Sequence, residues 1–368
     1  MAHRRLELRE VPTVLPALTL SAGCLVAIVW SLLSWSNYRA VLNGRLFHTS
    51  TSSFIADGVL TVLFLAIGME LSSERESGLL RDLRHAVAPL SGALGGMAGT
   101  AALTLIAGFA LSSSVLTRAW GVPMATDVAF VVGALALAGP RIPRELRTFL
   151  LTLAIADDVG SLAALGIIGT SHAHLTSLVG AALLTCASWL SRRRLPLMPL
   201  LLLVPLWLSL SQAGTEPALA GVITGACLSP SLASPHLERL VQWGSSLLAL
   251  PLFALSACGL NWHALQGNAP SVEPMVIIIL VRLLGKALGI YAAVSLARAL
   301  GAPLSPAFTR RILLGAGLLC AMGFTVPLLF ARVIFGLNES AIAPITVALF
   351  AATILGGGAG IWVLRRHR

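Results

Sequence analysis

Charge is scarce in this chain. Only 11% of its 368 residues are Asp, Glu, Lys or Arg, where a soluble domain carries about a quarter. Lysine is almost missing, with one at position 286 against 24 arginines. Five cysteines are present, Cys24, Cys186, Cys227, Cys258 and Cys320, all inside apolar runs and none in a CxxC pair. That argues against a disulfide framework or a thiolate metal site, and they read as small core hydrophobes. What is abundant is apolar: the AVILMFWYC set makes up 57% and mean hydropathy is +0.88. This balance disfavours a water-soluble enzyme, a nucleic-acid binder and a disordered chain. The net charge of +10 therefore needs another explanation. The start, MAHRRLELREVP, has no small-residue cleavage site after a short apolar stretch, so the first helix is expected to stay.

Apolar segments fall near 13–35, 54–71, 87–110, 120–138, 148–170, 174–191, 197–211, 217–229, 243–261, 274–297, 312–335 and 341–364. At roughly 20 residues per spanning helix, twelve helices consume about 240 residues and leave no room for a soluble domain. The expected architecture is an all-α integral membrane protein of about 12 transmembrane helices. Residues 13–364 form one domain between a tail at 1–12 and another at 365–368. The seventh and eighth segments are short, and SQAGTEP alone joins them, so a broken hairpin that does not fully span is the alternative there.

Arginine placement tests this count, because positive residues accumulate in cytoplasmic loops. With the N-terminus inside, 19 basic residues fall in inside segments and only Arg39, Arg45 and Arg118 in outside ones. Arg282, Lys286 and Arg332 fall within helices. The basic balance is thus explained by topology, with both termini cytoplasmic. All tryptophans but Trp207 lie near segment ends, as an interfacial belt requires.

Ionisable residues at mid-helix cost several kcal/mol and are functional candidates by default. They are Asp127, Asp157, Asp158 and Lys286, with Asp57 and Glu70 nearer the ends of the second helix. A lysine in a chain that otherwise uses arginine is informative, because an ammonium can lose its proton when desolvated and a guanidinium effectively cannot. Adjacent helical residues point about 100° apart, so Asp157 and Asp158 cannot share one partner in one geometry. One can face a fixed cation while the other faces a cavity, and the two titrate as a coupled pair.

Helix interruption is the third element. Gly121, Pro123 and Thr126 precede Asp127 in segment four, and segment eleven contains Gly315, Gly317, Gly323 and Pro327. Both could unwind in mid-membrane, which makes segments three to five and ten to twelve two inverted copies. Asp127 beside the positive half-helix ends and Lys286 beside the negative ones would then neutralise the stray dipoles.

ATDVAFVVGALALAGPRIPRELRTFLLTLAIADDVG, the LFLAIGMEL run, GKALGI and GLLCAMGFT together resemble the NhaA-type sodium/proton antiporters, over nearly the whole chain from about residue 10. The resemblance implies inverted repeats with two discontinuous crossing helices in a bacterial cytoplasmic membrane. It implies Asp158 and Asp157 as the Na⁺- and proton-binding pair, Thr126 and Asp127 at the unwound crossing as further cation-binding residues, and Lys286 paired with Asp157. The implied activity is electrogenic exchange of cytoplasmic Na⁺ or Li⁺ for external protons by alternating access, serving pH and sodium homeostasis, without a cofactor, in a lipid bilayer; a homodimer is one assembly it allows.

Several positions depart from the family pattern. Glu70 is followed by Ser72 where a basic residue is usual, and Glu216 replaces a histidine in the loop before segment eight. Glu238 keeps an acid at the entrance to segment nine, but Arg239 and Gln242 stand where histidines are expected. Glu70, Glu216 and Glu238 are therefore the candidates for pH response. Arg282 is extra, one turn before Lys286. It is expected to pair with a carboxylate or reach a water-filled funnel, and to weaken cation affinity by its charge.

Other classes fit less well. An intramembrane aspartyl protease needs a GxGD motif and a YD motif on separate helices, and neither Tyr38 nor Tyr291 is followed by Asp. A Na⁺-coupled organic-anion symporter of the same fold needs a wide polar cavity that the core segments do not supply. A degenerate, non-transporting relative is the remaining alternative, and Arg282 is what suggests it.

Overall fold

The computed structural model describes residues 15–46, 49–138, 144–168, 174–229, 235–259, 261, 272–336 and 338–366. The tail at 1–12 and Trp262 lie outside the described residues. In chain order the helices are α1 (Leu15–Leu33), α2 (Trp35–Asn43), α3 (Leu60–Ser77), α4 (Leu83–Ala110), α5 (Ser114–Arg118), α6 (Val128–Ala138), α7 (Arg144–Ile168) and α8 (Leu175–Ser191). They continue with α9 (Leu203–Gln212), α10 (Leu219–Cys227), α11 (Pro235–Gly244), α12 (Leu250–Ala257), α13 (Val272–Ala299), α14 (Arg310–Cys320), α15 (Thr325–Phe335) and α16 (Glu339–Arg365). A two-residue hairpin, Arg45–Leu46 with Thr49–Ser50, is the β structure among the described residues.

The bundle reverses the usual distribution of polarity. Leu18, Leu25, Leu94, Phe109, Leu183 and Leu190 are exposed on its outside, while Arg282, Lys286 and Asp157 are fully buried. A surface this apolar is matched to lipid. Among the described residues, seven helical spans are long and apolar enough to cross a membrane, and α14 with α15, bent by 52°, makes an eighth. Length and apolarity alone therefore do not reach the expected twelve. The shortfall lies at segments four, six, seven and eight, which are interrupted or short. The cysteine expectation needs one correction: Cys24, Cys227, Cys258 and Cys320 are buried, but Cys186 is exposed on the outside of α8.

Small residues set the helix spacing. Gly95, Gly96 and Gly99 of α4 face Gly285, Gly289 and Ala293 of antiparallel α13 so closely that a Cβ on Gly289 would lie 2.2 Å from the Gly95 carbonyl oxygen. With little hydrophobic drive between helices in lipid, such backbone approach supplies the packing energy. The parallel pair α3 and α10 does the same through Gly68, Gly221 and Gly225. A π-helical turn, Phe54–Val59, leads into α3. Its Asp57 carbonyl accepts from Thr61 Oγ1 at 2.6 Å and from Trp207 Nε1 at 3.0 Å. That contact explains the one tryptophan away from the segment ends.

Candidate functional site: a buried carboxylate pair beside two interrupted helices

Segment four ends its first helical part at the 3-10 turn Ala119–Gly121 and resumes as α6 at Val128. Segment eleven breaks between Cys320 and Thr325. Pro123 and Gly323 are placed where a helix could not run on unchanged. The two breaks meet. Thr126 Oγ1 donates to the Cys320 carbonyl at 2.6 Å, and the Asp127 amide donates to the Met322 carbonyl at 3.1 Å.

Asp127 closes the positive end of α15. One of its oxygens accepts the amides of Phe324 at 2.6 Å and Thr325 at 3.0 Å, and the other accepts the Thr325 hydroxyl. A carboxylate at a helix N-terminus satisfies orphan donors and opposes the helix dipole. Thr353 of α16 supports the break, accepting from the Gly323 amide at 3.3 Å.

The negative ends are closed by a residue other than the expected one. Arg282, not Lys286, meets the exposed carbonyls: Nη2 donates to Ala125 at 2.6 Å and Nε to Ala321 at 2.7 Å. The expectation that Arg282 would pair with a carboxylate or lie in a watery funnel is thereby corrected. It is fully buried and bonded to backbone, because unwinding leaves carbonyls that lipid cannot satisfy.

Lys286, one turn along α13, is committed elsewhere. Its Nζ lies 2.7 Å from both oxygens of Asp157, with both residues fully buried. Asp158, the next residue, makes no ion pair with Lys286 that the geometry shows, and its buried Oδ1 has no hydrogen-bond partner among the described residues. The charges facing Asp158 are Asp127, Asp157, Lys286 and Glu70. The site thus holds one carboxylate neutralised by a lysine and, on the next residue, one with a buried oxygen that meets no donor among the described residues.

The structure brings Asp157, Asp158, Lys286, Thr126, Asp127 and Arg282 together, with Glu70 facing Asp158 from α3. Glu238, in the first turn of α11, is half-buried at the end of the bundle where α3 finishes. Glu216 is at the opposite end, in the connection before α10, facing Asp57. Burial, with the Asp57 carboxylate second, pushes Glu216 up to about 7. A cavity of about 280 Å³, lined by Tyr38, Arg39, Asp57, Asn261 and Arg332, opens near that end and does not reach the aspartate pair.

Sequence reasoning missed Thr325, Thr353 and the Glu74 carboxylate, which accepts from Thr152 of α7 at 3.3 Å. Thr325 had a legible signal, a hydroxyl two residues after a mid-membrane glycine. Thr353 and Thr152 had none, since each is a lone threonine in an apolar helix.

A multi-pass helical membrane protein with a buried carboxylate pair beside two interrupted helices is a secondary transporter in architecture. The chain belongs to the family described as Na+/H+ antiporter 1, which it matches over residues 13–364. It is 35% identical to Na(+)/H(+) antiporter NhaA 2 of Frankia alni, over 95% of this chain and 75% of the relative. It is 31% identical to Na(+)/H(+) antiporter NhaA 2 of Kineococcus radiotolerans, over 98% and 85% respectively. With Na(+)/H(+) antiporter NhaA of Cronobacter sakazakii it shares 34% identity, over 85% and 83%. Members of this family are transporters rather than enzymes.

Proposed function

We propose that this protein exchanges Na⁺ or Li⁺ for protons electrogenically, by alternating access, across a bacterial cytoplasmic membrane. Residues 13–364 act as one transport domain with both chain ends in the cytoplasm, as the 19 to 3 division of basic residues supports. One observation carries the site: Asp158 is buried with an unpartnered oxygen beside an Asp157 already neutralised by Lys286. A carboxylate so placed gains either a proton or a small cation, and the two compete for it.

In this reading Na⁺ enters between Asp158 and Asp157, with the Thr126 side chain beside them, and draws Asp157 away from Lys286. The proton on Asp158 leaves as the cation takes its place, and the released ammonium, buried and without its counter-charge, gives up a second. On the opposite side of the membrane the cation leaves, one proton returns to Asp158 and one to Lys286, and Lys286 pairs again with Asp157. Exchanging two protons for one monovalent cation moves net charge, which is the source of electrogenicity. Asp127, the further cation-binding candidate, has both oxygens engaged by α15 donors and contributes mainly negative potential.

The test is proton flux in proteoliposomes on adding Na⁺, Li⁺ or K⁺ at several pH values, with Asp158→Asn alongside. The amide keeps the shape but neither binds Na⁺ strongly nor releases a proton, so exchange should be lost. Full exchange by that variant removes Asp158 from the mechanism.

A further inference from the structure

Two carbonyl oxygens exposed by helix interruption, those of Ala125 and Ala321, flank the hydrogen bond from Thr126 to Cys320 on its two strands. The side chain that reaches both is Arg282. We propose that Arg282 is the positioning residue of the crossing: its permanent charge ties the Ala125 and Ala321 carbonyls together and sets where Thr126 and Asp127 stand against the aspartate pair, leaving Lys286 to serve Asp157 alone.

Geometry and residue type agree on this division of labour. The guanidinium offers several donors in a rigid fork, so one head can hold two carbonyls on separate strands, which an ammonium on a flexible stem does less well. The opposing strand is cut to fit it. A Cβ on Gly323 would stand 2.3 Å from Arg282 Nη2, so the absence of a side chain there is what admits the guanidinium. Lys286 spends its contacts on both oxygens of Asp157. A single cation serving the carbonyls and Asp157 together would have to abandon the carbonyls whenever it lost its proton. A residue that never deprotonates keeps the crossing assembled throughout the cycle.

The charged groups facing Arg282 are Asp127, from the extended segment before α6, and Asp157 from α7, while Lys286 lies one turn along its own helix and bonds to Asp157. The Cys320 thiol of α14 adjoins Ala321, and α16 presents the neutral Thr353. Since Arg282 holds the crossing in place, its removal should weaken cation binding. This reverses the expectation drawn from its charge alone, because the guanidinium's hydrogen bonds go to backbone.

The transport arm of the test rests on the antiport reading, and the stability arm does not. Purified wild type, Arg282→Lys and Arg282→Met are melted in detergent at about pH 6.5 and about pH 9, and Na⁺-driven proton flux is titrated in proteoliposomes. Arg282→Met should melt below wild type at both pH values, and its KM for Na⁺ should rise about tenfold with a smaller change in maximal rate. Arg282→Lys should lie between the two at the lower pH and fall to the level of Arg282→Met at the higher one. A buried ammonium sheds its proton there and a guanidinium does not. The proposal is overturned if Arg282→Met keeps the wild-type melting point and KM, or if Arg282→Lys follows wild type at both pH values. If Arg282→Met does not fold, the pH-dependent melting of Arg282→Lys decides. Absence of Na⁺-driven flux in the wild type would sink the antiport reading and leave the melting comparison standing.

Discussion

Lys286 Nζ sits 2.7 Å from each carboxylate oxygen of Asp157, and neither side chain touches solvent. The next residue, Asp158, is equally enclosed, yet its Oδ1 meets no donor among the described residues. Two neighbouring carboxylates are thus held in opposite conditions by the 100° step of one helix.

Removing the lysine should expose the strength of that pair. Lys286→Ala leaves Asp157 buried without a counter-charge, and the variant should lose about 3 to 5 kcal/mol of stability, the range seen when a buried pair loses one partner. Lys286→Arg keeps the charge and should fold, but it cannot release a proton, so its pH dependence of exchange should differ from wild type. Wild-type melting of the first together with an unaltered pH profile of the second would leave the mechanism to the aspartates alone.

Competition between H⁺ and cation at the aspartates predicts a particular shape of pH response. Raising Na⁺ should move the active range to lower pH, because the cation displaces protons from the same oxygens. The comparison needs only proton flux at two Na⁺ concentrations over several pH values. A midpoint that ignores Na⁺ would point to a separate sensor.

Glu216 should titrate near neutrality. Its folded value of about 7 lies above the ordinary 4.5 of an exposed glutamate, so the folded state binds the extra proton between these values. Stability from this group is therefore highest in acid and declines as pH rises toward 7. Glu216→Gln should be more stable than wild type at pH values beyond that midpoint, by about 3 kcal/mol, and the gap should close in acid. An advantage independent of pH would show that the gain comes from something other than the carboxylate's charge.

Gly289 should tolerate no side chain. A methyl group there would stand 2.2 Å from the Gly95 carbonyl oxygen and force α4 from α13. Gly289→Ala should cost about 1 to 3 kcal/mol by overpacking, measured by melting in detergent. Because α13 carries both Arg282 and Lys286, exchange should fall as well.

The sequence by itself determined the membrane class, which ionisable residues lie inside apolar segments and the two places where helices break. Each of these follows from composition or from the cost of charge in an apolar run, which is local to the chain. Asp157, Asp158, Asp127 and Lys286 stood out because nothing around them in sequence could offset their insertion cost. Only the tertiary structure decided how the charges are shared. Arg282 and Lys286 are one turn apart on α13, and their spacing alone cannot say which one meets carbonyls and which meets Asp157. The answer depends on where Ala125, Ala321 and Gly323 of two distant segments come to rest. Thr353 and Thr152 were invisible for the same reason, since a hydroxyl acquires a role only from the group that another helix brings to it.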